Sequence, residues 1–167
     1  MEPWKFIVVE NKDLREKIRA ASYDQSKVTD ASHLIVIAIR KDHENMSKEL
    51  IARAMKIQNK KEEDLTGLKQ MADNFISSKD GANKIYEWFL SQSYIPLGVM
   101  METAALLKID TCPMEGFDQN KIDEILGLGA KNLTAATILV VGYRGNDPYA
   151  LLPKIRREEN EVIEIIK

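Results

Sequence analysis

The chain has 167 residues, 44% of them hydrophobic and 30% charged, enough apolar content for a real core and too much for intrinsic disorder. Its 24 Lys and Arg against 26 Asp and Glu leave a formal net charge of -2, which excludes a domain-wide basic field and with it duplex nucleic-acid binding. A single cysteine, Cys112, permits no intrachain disulfide, and the longest apolar runs, Leu34 to Ile39 and Ala135 to Gly142, fall far below the roughly 20 residues of a membrane helix.

Phe6 to Val9 predicts a short buried strand, being apolar, β-branched and too brief for a helix. Asn11 is a candidate N-cap for an amphipathic helix over 12–21, with Leu14, Ile18 and Ala21 at helical spacing. Leu34 to Ile39, apolar on both faces, predicts a central strand of a sheet covered on both sides. Residues 44–60 put Met46, Leu50, Ala54 and Ile57 on one stripe; residues 64–77 do so with Leu65, Leu68, Met71 and Phe75 behind an Asp64 cap. The segment 82–107 is apolar nearly all round and so is expected to be buried on several sides, with Pro96 kinking or dividing it.

Asp118 caps a helix ending at Gly127, with Ile122 and Ile125 facing in. Thr137 to Val141 predicts a second central strand, and Val162 to Ile166 a last one. That last strand follows a charged arm from Leu151 to Asn160, so it can pair with the parent sheet or reach across to a neighbouring subunit. The pattern is a single α+β domain over 1–167, a sandwich around a mixed sheet.

Few residues carry chemistry by themselves. Pro113 to Phe117 reads as a loop in which the Glu115–Gly116 pair lets backbone N–H groups approach a planar ligand; an ordinary loop leading to an N-cap is the plainer account. Lys154 and Arg156 alternate on an extended segment and can grip a phosphate from one side, although beside Arg157, Glu158 and Glu159 a solvated charge run is the plainer account. Lys27 precedes the central strand and can donate to a carbonyl or anion. His33 and His43 have no ligand-spaced partners, so a zinc or iron site is not expected. Gly-rich nucleotide loops and a nucleophile elbow are absent, and Cys112 beside Pro113 reads as a packed small hydrophobe.

Taken in order, five segments together resemble the nitroreductase family, in particular its oxygen-insensitive NAD(P)H nitroreductase and flavin reductase subgroup. They are Pro3-Trp4-Lys5-Phe6-Ile7-Val8-Val9, Val28-Thr29-Asp30-Ala31-Ser32-His33-Leu34-Ile35-Val36, Thr111 to Phe117, Val141-Gly142-Tyr143-Arg144 and Leu152-Pro153-Lys154-Ile155-Arg156. The resemblance implies a three-layer sandwich, a homodimer holding FMN at the subunit interface, and a C-terminal arm embracing the partner. It implies ping-pong hydride transfer from NAD(P)H to nitroaromatics, quinones or flavins in the cytoplasm, with no membrane and no nucleic acid. By position, Lys27 would face the pyrimidine edge of the flavin, Pro113 and Met114 would pack on the ring, Glu115 and Gly116 would offer their N–H groups, and Lys154 and Arg156 would hold the phosphate.

This sequence departs from the pattern in three places. The family's N-terminal helix and the loop before its Pro-Trp are lacking, so the chain reads as N-terminally truncated, with Glu2 at the usual Gln position. The Asn expected near the pyrimidine edge is Asp24, which cannot donate when ionised. A family aromatic over the flavin falls near Met71, in the substrate region. The resemblance therefore leaves two functions open: an FMN-dependent reductase with a reduced phosphate grip, or a cofactor-poor homodimeric remnant of that fold.

Overall fold

The computed structural model describes the whole chain except Asp80, Gly81, Tyr149 and Lys167, with the side chains of Ala82 and Asn83 also left out. Four strands form one sheet: β1 (Trp4–Val9), β2 (His33–Arg40), β3 (Asp110–Met114) and β4 (Leu133–Gly142), in the order β1-β2-β4-β3. Every ladder among the described residues is antiparallel, where the sequence pattern had suggested a mixed sheet.

The alternation of side chains along β2 and β4 builds a three-layer α+β arrangement. Leu34, Val36 and Ala38 of β2, with Ile138 and Val140 of β4, face one layer, made by helices α1 (Lys12–Ala21) and α6 (Gln119–Leu126) through Ile18 and Ile122. Ile37 and Leu139 point the opposite way, to Leu97 of the long helix α5 (Ala82–Leu106). A β-bulge interrupts the alternation: Ile37 pairs with Thr137 but Ala38 with Ala135, so Ala136 is the extra residue and faces Phe89 on the α5 side.

Helix α1 begins where Asn11 accepts a hydrogen bond from the Leu14 amide at 2.9 Å, and α6 begins where Asp118 accepts one from Lys121 at 3.2 Å. Gly127 ends α6 at φ +60, the left-handed cap that favours glycine. Helix α5 runs unbroken through Pro96, which Leu97 anchors against the sheet from the next position. Only one of its faces is covered: Ile85, Phe89, Leu97 and Ala104 are buried while Ile95, Val99 and Leu106 are exposed.

Between β2 and α5 the chain makes an excursion through α3 (Met46–Gln58) and α4 (Thr66–Ser78), which follow the short helix α2 (Lys27–Asp30) in chain order. The expected stripes are only half buried, since the pair packs on itself around Ile51, Ala54 and Leu65 and leaves Ile57 79% exposed. Asp64 caps a 3-10 turn at Glu62–Leu65, accepting from the Lys61 amide at 3.2 Å, and α4 starts two residues later.

Two further expectations change. Residues 110–114 form an edge strand, so the stretch expected as a loop from Pro113 starts only at Glu115; Pro is tolerated at a sheet edge because its missing N–H need not enter a ladder. The last predicted strand, Val162 to Ile166, does not form: Val162 ends a short helix, α7 (Glu159–Val162), and residues 163–166 join none of the four strands. The arm that carries them exposes Leu151, Ile155, Ile163, Ile165 and Ile166.

Candidate functional site

An open cleft of about 800 Å³ lies where the turn before β2, the start of β3 and the end of β4 meet, with residues 145–148 as its outer wall. Its volume lies within the ~300–1,000 Å³ typical of small-molecule sites. The turn is built from α1. After the Ser22 cap, Tyr23 and Asp24 both adopt left-handed backbone at φ 55, conformations that cost non-glycine residues energy. Helix α2 then presents Lys27 to the cleft.

Arg15 holds this turn from below. Its guanidinium, only 7% exposed, donates to the carbonyls of Val28 at 2.8 Å, Ser32 at 3.2 Å and Ala31. Ser32 in turn donates through Oγ to the Val141 carbonyl at 2.8 Å. A Cβ at Gly142 would come within 3.1 Å of the Ser32 backbone nitrogen, so any side chain here would press turn and β4 apart by a few tenths of an ångström.

Lys27 Nζ donates to Cys112 Sγ at 3.2 Å, fixing the cation against β3. At the rim, Arg144 hydrogen-bonds Asp110 through two nitrogens; the bond holds the Asp110 carboxyl below the usual carboxylate range and pushes the Arg144 guanidinium up. Gln25 lines the cleft and also donates to the carbonyls of Ser22 and Gly116, each at 3.0 Å. Tyr94 of α5 donates to Glu115 Oε1 at 2.8 Å; burial, and then this carboxylate, push its phenol up.

Of the residues singled out in the sequence, Lys27 lies in the cleft; Glu115 and Gly116 do not line it, and Gly116 is linked to it through Gln25, which donates to its carbonyl. Strand alternation splits the next pair: Pro113 is exposed, while Met114, 4% exposed, points into the core and not toward the cleft. Asp24 is turned outward and paired with Arg19 at 2.7 Å. Met71, 68% exposed on α4, and Lys154 and Arg156 on the C-terminal arm do not line the cleft. Cys112 packs against the core as expected, yet its sulfur also meets Lys27. Sequence reasoning missed Gln25, Arg15 and Tyr94, whose partners are distant in the chain and leave no local signature.

A smaller cavity of about 410 Å³ between α5, α6 and β4 is lined by polar groups that already serve one another. Asp123 accepts from Thr134 Oγ1 and the Ala135 amide, and Gln119 donates to Tyr86 and the Ala135 carbonyl. The larger cleft, with its one lysine and open backbone edge, is the better ligand site.

A three-layer sandwich with a lysine-bearing cleft at the strand ends defines a class, and comparison supplies the family. The nitroreductase family model matches residues 1–143. A Staphylococcus epidermidis protein named "Putative NAD(P)H nitroreductase" is 36% identical over 178 aligned positions, covering 100% of this chain and 79% of the relative. A Staphylococcus aureus protein of the same name is 36% identical, covering 98% of this chain and 76% of its own length. Among solved structures, a Bacillus subtilis protein named "putative nitroreductase" superposes with a TM-score of 0.83 at 20% identity over 99% of this chain and 78% of that one. An Exiguobacterium sibiricum protein, also named "putative nitroreductase" and solved in complex with FMN, gives 0.80 at 19% identity, over 98% and 77%. The chain belongs to the nitroreductase family.

Proposed function

We propose that this chain is an FMN-dependent NAD(P)H oxidoreductase of nitroaromatics, quinones or flavins, working as a cytoplasmic homodimer. The observation that carries the reading is the Lys27 ammonium, held by Cys112 at the wall of an open cleft in a nitroreductase fold. The residues present fit a flavin. The cleft offers one fixed cation, Lys27 held by Cys112, with the Gln25 amide and the backbone at the end of β4 along the same wall. Bound FMN would supply the redox chemistry, accepting hydride from NAD(P)H and passing it to the acceptor in a ping-pong sequence.

The protein's part is orientation and charge. Lys27 favours negative charge on the ligand edge that faces it, more strongly in a half-buried cleft than in bulk water. Glu115 and Gly116 present backbone donors toward the same edge, and Pro113 offers an apolar surface. Asp24 would sit at the turn, and Met71, Lys154 and Arg156, which lie outside this chain's cleft, would reach a bound flavin only across the subunit interface, Met71 on the acceptor side and the two cations of the arm at the phosphate. The acidic rim is muted, since Asp110 is engaged by Arg144. The uncovered face of α5 and the apolar arm support a second copy as partner. Among the described residues no helix is long and apolar enough to cross a membrane.

The test is an FMN titration of the flavin-free protein, followed by NADH and NADPH oxidation with a nitroaromatic acceptor. Saturable flavin uptake with acceptor-dependent oxidation is expected. A protein that takes up no flavin would overturn the reading and leave a dimeric remnant in its place.

A further inference from the structure

Gln25 joins two segments that are far apart in the chain. It follows the two left-handed residues Tyr23 and Asp24, lines the cleft next to Lys27, and reaches Gly116, 91 positions away. Both oxygens within reach of its amide nitrogen, Ser22 O and Gly116 O, are backbone carbonyls at 3.0 Å. Only the donor end of a carboxamide satisfies two carbonyls, so the orientation of the side chain is fixed by chemistry.

The Gly116–Phe117 peptide is thereby held at both ends. Its oxygen accepts from Gln25, and its N–H donates to the Glu115 carbonyl at 3.0 Å. The next amide, Asp118 N, donates to Ala21 O at 2.8 Å, so α1 and the turn that follows it anchor this corner from one side. The Glu115 carbonyl that accepts this bond shares its peptide plane with the Gly116 N–H, so fixing the turn on both sides of Gly116 also sets where that N–H points. The backbone strain at Tyr23 and Asp24 then has a use: it swings residue 25 under residue 116, where an ordinary helix end would carry it elsewhere.

We propose that Gln25 is a positioning residue that aims the Glu115–Gly116 backbone donors at the bound ring and so tunes both flavin affinity and flavin potential. This rests on the FMN reading above. The tests are Gln25→Met, which keeps length but cannot donate, and Gln25→Glu, which replaces the donor by an acceptor. Three readouts on the full chain decide it: amide hydrogen exchange across 115–118 without flavin, FMN titration, and the midpoint potential of the bound flavin.

In both variants we expect exchange across 115–118 to quicken about tenfold, FMN dissociation constants to rise about tenfold, and the potential to shift, with the thermal midpoint nearly unchanged. A merely structural role would lower the thermal midpoint and leave the potential where it was. Unchanged exchange at 115–118 would overturn the clamp. Faster exchange with unchanged affinity and potential would overturn its link to the cofactor. Failure of the unsubstituted protein to take up FMN would overturn the functional reading, and it is seen before any substitution is made.

Discussion

Lys27 and Cys112 stand 85 positions apart, yet Lys27 Nζ donates to Cys112 Sγ at 3.2 Å and the pair faces the same cleft. If FMN occupies that cleft, it covers both side chains. Alkylation of Cys112 by iodoacetamide should therefore slow at least severalfold on saturation with FMN. Lys27→Met should weaken FMN binding by about one to two orders of magnitude, since a hydrogen bond to a charged group contributes roughly 1.5–3 kcal/mol. Equal alkylation rates with and without bound flavin would move the flavin out of this cleft.

Arg15 carries a different kind of prediction, about stability. Its guanidinium is buried beneath the turn and satisfies three carbonyls, those of Val28, Ala31 and Ser32. Arg15→Met keeps much of the apolar stem but strands these acceptors, which should cost about 2–4 kcal/mol. Urea unfolding measures the loss directly. A midpoint within error of the parent protein would mean that the carbonyls find other donors.

How much of this was legible in the sequence follows from the range of each interaction. Helix α1 over 12–21 could be read because burial repeats at helical spacing, as at Ile18 and Ala21, and the central strands because their continuous apolar runs are buried on both faces. Strand β3 could not be read, since Asp110-Thr111-Cys112-Pro113-Met114 has no alternating apolar pattern and contains a proline. Its strand character comes from pairing with β4, from Asp110 opposite Gly142 to Met114 opposite Ile138. Lys27 was singled out by its place before the central strand, and only the resemblance gave it a flavin to face. Gln25 and Arg15 escaped because what they grip is backbone carbonyl, which every residue has.

The ion-pair network at the end of β2 gives a pH dependence with a defined sign. Arg40 donates to Glu49 at 2.6 and 3.0 Å, and this hydrogen bond holds the Glu49 carboxyl below its ordinary value of 4.5. A group whose folded value is depressed stabilises the fold above its unfolded value, and that contribution is lost as pH falls through the folded one. The gap in urea midpoint between the parent and Glu49→Gln should thus be widest near neutrality and shrink below about pH 4.5. A gap that grows as the solution is acidified would reverse the sign and discard the assignment.

The final prediction concerns the surface that a single chain leaves bare. Leu151 and Ile155 are 94% and 96% exposed on the C-terminal arm, and Ile165 and Ile166 are 79% and 88% exposed beyond it. On the body, α5 turns Ile95, Val99 and Leu106 outward, and β1 does the same with Phe6 and Val8. Fully burying an aliphatic side chain contributes about 1.5–3 kcal/mol, so covering several of them would drive association strongly. A second copy is the natural cover, because one chain supplies both an apolar arm and an apolar face in need of one, and a two-fold axis satisfies both at once. We therefore expect a dimeric mass by light scattering at micromolar concentration. Ile155→Asp combined with Ile165→Asp should shift that equilibrium toward monomer while leaving β1 to β4 intact by circular dichroism. The substituted arm touches none of the described core, so lost secondary structure would not be the expected price of the change. A monomeric parent protein, or a doubly substituted dimer of unchanged affinity, would show that the arm and α5 are covered in some other way.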